Sequence, residues 1–264
     1  MDLTNVYIGF ALATFAGLST GIGSLLGLYS KFENKRLLSL ALGFSAGVMI
    51  YVSFMELLLL SFESLVGLYG HTYGQLIGVT AFIAGLLMML FIDQLFDHHS
   101  IADFISRSSN KDESLLVRTG LFSAIALAIH NFPEGFATFT AAVYDPTVGV
   151  TLATAIAIHN IPEGLAVSVP IYYATKSKTK AFWISFASGL AEPLGALIGF
   201  LIFRTVYNEA LFGISFALCA GIMIYVSLNE LLPVAKEYGK PGDPIIGVTA
   251  GIIVMAISLI LMYA

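Results

Sequence analysis

Eight uninterrupted apolar runs, roughly 5–29, 37–60, 74–96, 119–141, 148–173, 181–203, 209–232 and 245–263, take up most of this chain. A helix crossing the hydrocarbon core of a bilayer needs about 20 such residues. The runs are continuous and lack the period-two alternation of a membrane barrel, so helices remain as the spanning element. Composition agrees: of 264 residues, 58% are hydrophobic and only 11% charged. A soluble domain carries about 25% charged residues. The expected fold is an all-α membrane protein with eight transmembrane helices, forming one polytopic domain over residues 1–264. The start, MDLTNVYIGF, has no basic leader and no small-residue cleavage site, and reads as the first mature helix. Cys219 is the single cysteine, which excludes an internal disulfide and a thiolate metal cage. It reads as an inert small core residue.

Charge placement orients the spans. Eleven of the twelve basic residues fall in the odd-numbered connections: Lys31, Lys35, Arg36, Arg107, Lys111, Arg118, Lys176, Lys178, Lys180, Lys236 and Lys240. Only Arg204 falls on the other side. Basic loops stay in the cytoplasm, so both termini are expected outside. The longest connection, roughly 97–118, is then a polar cytoplasmic loop. Its His98 and His99, beside Asp97 and Asp103, could collect a metal ion, but no ligand spacing is enforced and a solvated loop is the favoured reading.

The chain also repeats itself. AGVMIYVSFMELL (46–58) returns as AGIMIYVSLNELL (220–232), with ten of thirteen positions identical. GLSTGIGSLLG (17–27) matches GLAEPLGALIG (189–199) more loosely, and IGVTA occurs at 77–81 and 246–250. Spans 1–3 therefore correspond to spans 6–8 across an odd offset, which reverses their direction in the membrane. Such inverted repeats in transporters bind substrate at the midplane between the repeats. The expected arrangement is 3+2+3, with spans 4 and 5 between the repeats.

Spans 4 and 5 carry HNFPEG (130–135) and HNIPEG (159–164) inside apolar runs. His130 and Glu134, and His159 and Glu163, are four apart, so each pair shares a helix face. Glu192 adds a third acid near the middle of span 6. No lysine or arginine occurs from Thr119 to Thr175. Carboxylates in hydrocarbon without basic partners need protons or bound cations. Two imidazoles and two carboxylates make a neutral four-coordinate set around a zinc-like 2+ ion. Asn131, Asn160 and Glu192 supply enough further oxygen for a second ion. Pro133 and Pro162 each remove an N–H, and are expected to bend the helix and open a cavity. Glu56 and Glu230, nearer span ends, suit acids guiding a cation in and out, although acids at headgroup level also serve structure. Three classes fit this inventory: a divalent-cation transporter, an intramembrane metalloenzyme whose zinc activates water, and a proton-coupled carrier of another solute. HExxH is missing and the sites are paired, which favours the transporter. No phosphate-binding GxxxxGK[ST] loop is present.

HNFPEG followed by HNIPEGLAV, with GLAEP in the next span, resembles the ZIP (Zrt-, Irt-like) family of divalent metal transporters, most closely its bacterial ZupT-type branch. The resemblance covers all eight spans. It implies import of Zn²⁺, with Fe²⁺, Mn²⁺, Co²⁺ or Cd²⁺, across the plasma (inner) membrane, the metal being substrate rather than cofactor. It places metal ligation on His130, Asn131, Glu134, His159, Asn160, Glu163 and Glu192, with the paired glutamates bridging two ions. The partners it implies are the ions and the bilayer, with a homodimer as one arrangement and no nucleic acid. Many relatives carry a histidine-rich loop between spans 3 and 4; here that loop has only His98 and His99.

Overall fold

A computed structural model describes residues 2–29, 35–95, 128–129, 131–206 and 208–263. His98, His99 and His130 lie outside the described residues. Every element among them is helical. We number the helices in chain order. α1 is Leu3–Tyr29. α2 comprises Lys35–Val52, a π-helical turn at Ser53–Leu57, and Leu58–Tyr69. α3 is His71–Leu95, α4 is helical over 131–144, and α5 is Pro146–Thr175. α6 joins Lys178–Gly189 to Ala191–Thr205 at Leu190. α7 comprises Glu209–Val226, a π-helical turn at Ser227–Leu231, and Leu232–Tyr238. α8 is Asp243–Tyr263. Among the described residues, seven of these (all but α4) are long and apolar enough to cross a bilayer.

The turns arise from local chemistry. Gly70 sits at φ 77° between α2 and α3, a conformation costly for any residue with a Cβ. Asp145 caps α5 by accepting the Thr147 N–H at 2.7 Å, and Pro146 takes the first helical position. Asn208 caps α7 in the same way, through the Ala210 N–H at 2.9 Å.

Lipid is as apolar as leucine, so helices in a bilayer associate through close backbone approach and hydrogen bonds rather than hydrophobic burial. The glycines show where this happens. A Cβ on Gly17 would strike the Gly189 carbonyl, and one on Gly189 would strike the Gly17 carbonyl, so α1 and α6 cross in backbone contact. Gly23 of α1 lies on Ile161 of α5, and Gly195 of α6 lies on Phe132 of α4. Gly164 meets Thr20, and Gly135 meets Glu192. These contacts interchange under the sequence repeat, which pairs Gly23 with Gly195 and Thr20 with Glu192. Around this centre α8 packs on α2, and α3 packs on α7, again a related pair. Of the seven helices long enough to cross a bilayer, α5 and α7 are the most enclosed and α3 and α8 the least. An aromatic cluster of Phe10, Phe139 and Phe200 fills one side, with centroid separations of 5.1–6.4 Å.

Three expectations change. α2 continues to Tyr69 and α7 to Tyr238, so Glu56 and Glu230 lie inside long helices rather than near their ends. The apolar runs understate these helices because their ends are amphipathic. The HNIPEG proline does not break α5, which runs unbroken from Pro146 to Thr175. Pro162 is flanked by the Ile161 and Gly164 contacts with α1. The interruption falls in α6 instead, at Leu190, just before Glu192-Pro193.

Candidate metal centre

The one-turn spacing of His and Glu sets what each helix presents. Antiparallel helices bring His159 of α5 level with Glu134 of α4, and the Nε2 and Oε1 atoms stand 3.2 Å apart, both side chains fully buried. Glu163, one turn further along α5, accepts the Ser45 hydroxyl of α2 at 3.2 Å. The same hydroxyl lies 3.4 Å from the His159 carbonyl, so Ser45 straddles the motif turn. Asn160 donates to the Ala16 carbonyl of α1 at 2.9 Å and, through a short contact, to the Glu192 carboxylate of α6. Asn131 donates to the Ser188 carbonyl of α6 at 3.3 Å. Under the repeat Ala16 and Ser188 are equivalent positions, so both asparagines are anchored alike.

The described site residues are thus brought to one centre, between α1, α2, α4, α5 and α6. They meet as hydrogen-bonded pairs: among the described residues, no three His, Cys, Asp or Glu side chains form a metal-holding group. Asn131, Glu134, Asn160 and Glu192 have no exposed surface. Asn131 Oδ1, Glu134 Oε2 and Asn160 Oδ1 have no hydrogen-bond partner among the described residues. Buried oxygens of this kind are costly in an apolar interior and are suited to meet a cation. A set of carboxylate, imidazole and amide oxygen is chemically matched to a borderline divalent ion.

Glu56 is buried and Glu230 half-buried, each on a π-helical turn. The turns are built alike. Leu58 N–H bonds to Ser53 O and Leu232 N–H to Ser227 O. The Ser53 and Ser227 hydroxyls donate to the Met49 and Met223 carbonyls at 2.7 and 2.8 Å. Each such turn adds a residue and rotates the remainder of its helix by about 100°.

Sequence reading missed several residues. Ser45 contacts the motif from α2, where only Glu56 stood out in the sequence. Cys219 is buried, as expected of a small core residue, with its Sγ 3.5 Å from the Pro133 carbonyl at the position equivalent to Ser45. Asp93 of α3 accepts from Tyr225 at 2.9 Å and Asn229 at 3.2 Å, next to Glu230. The repeat alignment, extended by one residue, pairs Ser45 with Cys219; nothing in sequence pairs Asp93 with α7.

Apolar helices enclosing buried acids, imidazole and amides define a multi-pass membrane protein with a polar centre. The chain belongs to the ZIP zinc transporter family, whose model matches residues 97–259. It is 52% identical to zinc transporter ZupT of Chlorobium chlorochromatii over 97% of this chain and 98% of that protein. It is 50% identical to zinc transporter ZupT of Chlorobaculum parvum, over 97% and 98% of the two chains. With zinc transporter ZupT of Oceanobacillus iheyensis the figures are 47%, 98% and 100%. The likeness to the ZIP family read from the motifs is therefore shown. Membership places the chain among transporters rather than enzymes.

Proposed function

We propose that the protein imports divalent metal ions, zinc foremost with Fe²⁺, Mn²⁺, Co²⁺ and Cd²⁺ as further substrates, across the plasma membrane. The observation that carries this reading is the trio of buried acids, Glu134, Glu163 and Glu192, held by His159, Ser45 and Asn160 with no lysine or arginine in the chain from Thr119 to Thr175. Three carboxylates with imidazole and amide partners suit one or two 2+ ions as the compensating charge. His130, one turn from Glu134, would complete the ligand set with Asn131. The zinc transport that the relatives' names carry supports the same choice of substrate.

The topology that fits is eight spans in a single 1–264 domain, both termini outside, with the loop at roughly 97–118 in the cytoplasm. The repeat-related contacts of α1 with α5 and α6 with α4 suit alternating access, in which one set of helices moves against the other. A negative interior favours entry by about 2.3 kcal/mol per charge per 100 mV, and a 2+ ion gains about twice that. Glu56 stands toward the outer side and Glu230 toward the cytoplasm, as acids along the path in and out. Zn²⁺ uptake into proteoliposomes tests the assignment. Glu163→Ala is expected to cut the rate by about 100-fold or more, since a bridging carboxylate is lost. Uptake at the wild-type rate from that variant would remove the site from this centre.

A further inference from the structure

The crossing of α1 and α6 relates two residues of different chemistry. Glu192 lies three residues beyond Gly189, and Thr20 three beyond Gly17. The backbone of Glu192 occupies the space of a Cβ at Gly135, and the backbone of Thr20 does the same at Gly164. Thr20 therefore holds, in its half, the place that Glu192 holds in the other. Glu192 meets Asn160. A Cβ on Gly189 would stand 3.0 Å from the Thr20 hydroxyl, and the Ser188 carbonyl joined to that glycine accepts from Asn131. Thr20 and Asn131 thus converge on one peptide of α6.

Thr20 is wholly buried, and its hydroxyl has no hydrogen-bond partner among the described residues. A helical threonine ordinarily bonds back to the carbonyl four residues earlier. Here that carbonyl, Ala16 O, already accepts from Ser19 and Asn160. Asn131 Oδ1 and Glu134 Oε2 are buried and unpartnered in the same way. Three such oxygens, contributed by α1 and α4, point to an electropositive visitor.

We propose that the Thr20 hydroxyl is a ligand of the transported ion, forming with Asn131 an uncharged half-cage opposite Asn160 and Glu192. This rests on the proposed import function. In the proposed topology α1 runs inward and α6 outward, so Glu192 lies on the outer side of the crossing and Thr20 on the cytoplasmic side. On arrival the ion then meets Glu192, and on departure the equivalent place is held by the neutral Thr20 hydroxyl, beside Glu163 and Gly164. Neutral oxygens hold a 2+ ion less tightly than carboxylate, so Thr20 sets the rate of release.

The test uses the full chain, with Zn²⁺ dissociation constants measured in detergent and KM and Vmax measured in proteoliposomes. Thr20→Glu is expected to bind Zn²⁺ about tenfold more tightly and to lose about tenfold in Vmax; the near-isosteric Thr20→Val should bind about tenfold more weakly, and Thr20→Ser should match wild type. Wild-type affinity and Vmax in Thr20→Val overturn the inference, as does unchanged affinity in Thr20→Glu. Glu192→Gln separates the two levels. If it weakens binding while Thr20→Val does not, only the role of Thr20 fails. If neither substitution alters binding, the metal-site reading itself fails.

Discussion

The half of the molecule built from α1 and α5 and the half built from α6 and α4 share a frame and differ in what they hang on it. Gly23 on Ile161 matches Gly195 on Phe132, and Asn160 on Ala16 O matches Asn131 on Ser188 O. The π-helical turns of α2 and α7 match down to their serine hydrogen bonds. The motif residues of α4 and α5 match too, but several side chains contributed by the flanking helices do not. Glu192 stands against Thr20, and Cys219 against Ser45. Asn229, which reaches Asp93, stands against Met55, which is largely exposed. Backbone contacts tolerate no drift, because a carbonyl cannot move aside for a Cβ. Side chains lining a polar centre can change with only local consequences.

The largest effect should come from attacking the shared frame. Gly135→Leu and Gly164→Leu each drive a side chain into backbone, of Glu192 and Thr20 respectively. Both should lose most folded protein, seen as collapse of the monodisperse peak on size-exclusion chromatography, because overpacking against immobile atoms costs several kcal/mol, about 3 or more. Tolerance of one and not the other would break the equivalence of the halves.

The paired acids come next. Glu56→Gln should raise the KM for Zn²⁺ with little change in Vmax, and Glu230→Gln should lower Vmax, each by about threefold to tenfold. Identical effects from the two would show that they do not stand on opposite sides of the centre.

The smallest effects concern Ser45 and Cys219. Ser45→Ala deletes one hydrogen bond to Glu163, worth about 1 kcal/mol, and should weaken Zn²⁺ binding about fivefold. Cys219→Ser makes the two positions alike and should change affinity by less than about twofold, since a hydroxyl can keep the thiol's bond to the Pro133 carbonyl. A larger shift there, read in competition between Zn²⁺ and Cd²⁺, would make Cys219 a determinant of metal choice.

Much of the fold and of the centre was legible in the residues. Continuous apolar length announces a membrane helix wherever it occurs, and a His and Glu four apart share a face in any helix. The repeat, once aligned, pairs Thr20 with Glu192, yet only contact gives the pairing chemical meaning. Pro162 does not interrupt α5, which meets α1 at Ile161 and Gly164 on either side of it; what packs beside a proline is not written in its own segment. The π-helical turns were invisible because one inserted residue leaves hydrophobicity unchanged.

By itself the sequence determined the all-helical membrane class, the inverted repeat and the polar residues of α4, α5 and α6, because these depend on local composition and spacing. Only the tertiary structure decided that α1 and α6 cross at Gly17 and Gly189, that Ser45 reaches Glu163, and that the Thr20 hydroxyl is buried beside Gly189 with no partner among the described residues. Those pairings depend on how closely two backbones approach, which is a property of the packed pair and of neither segment alone.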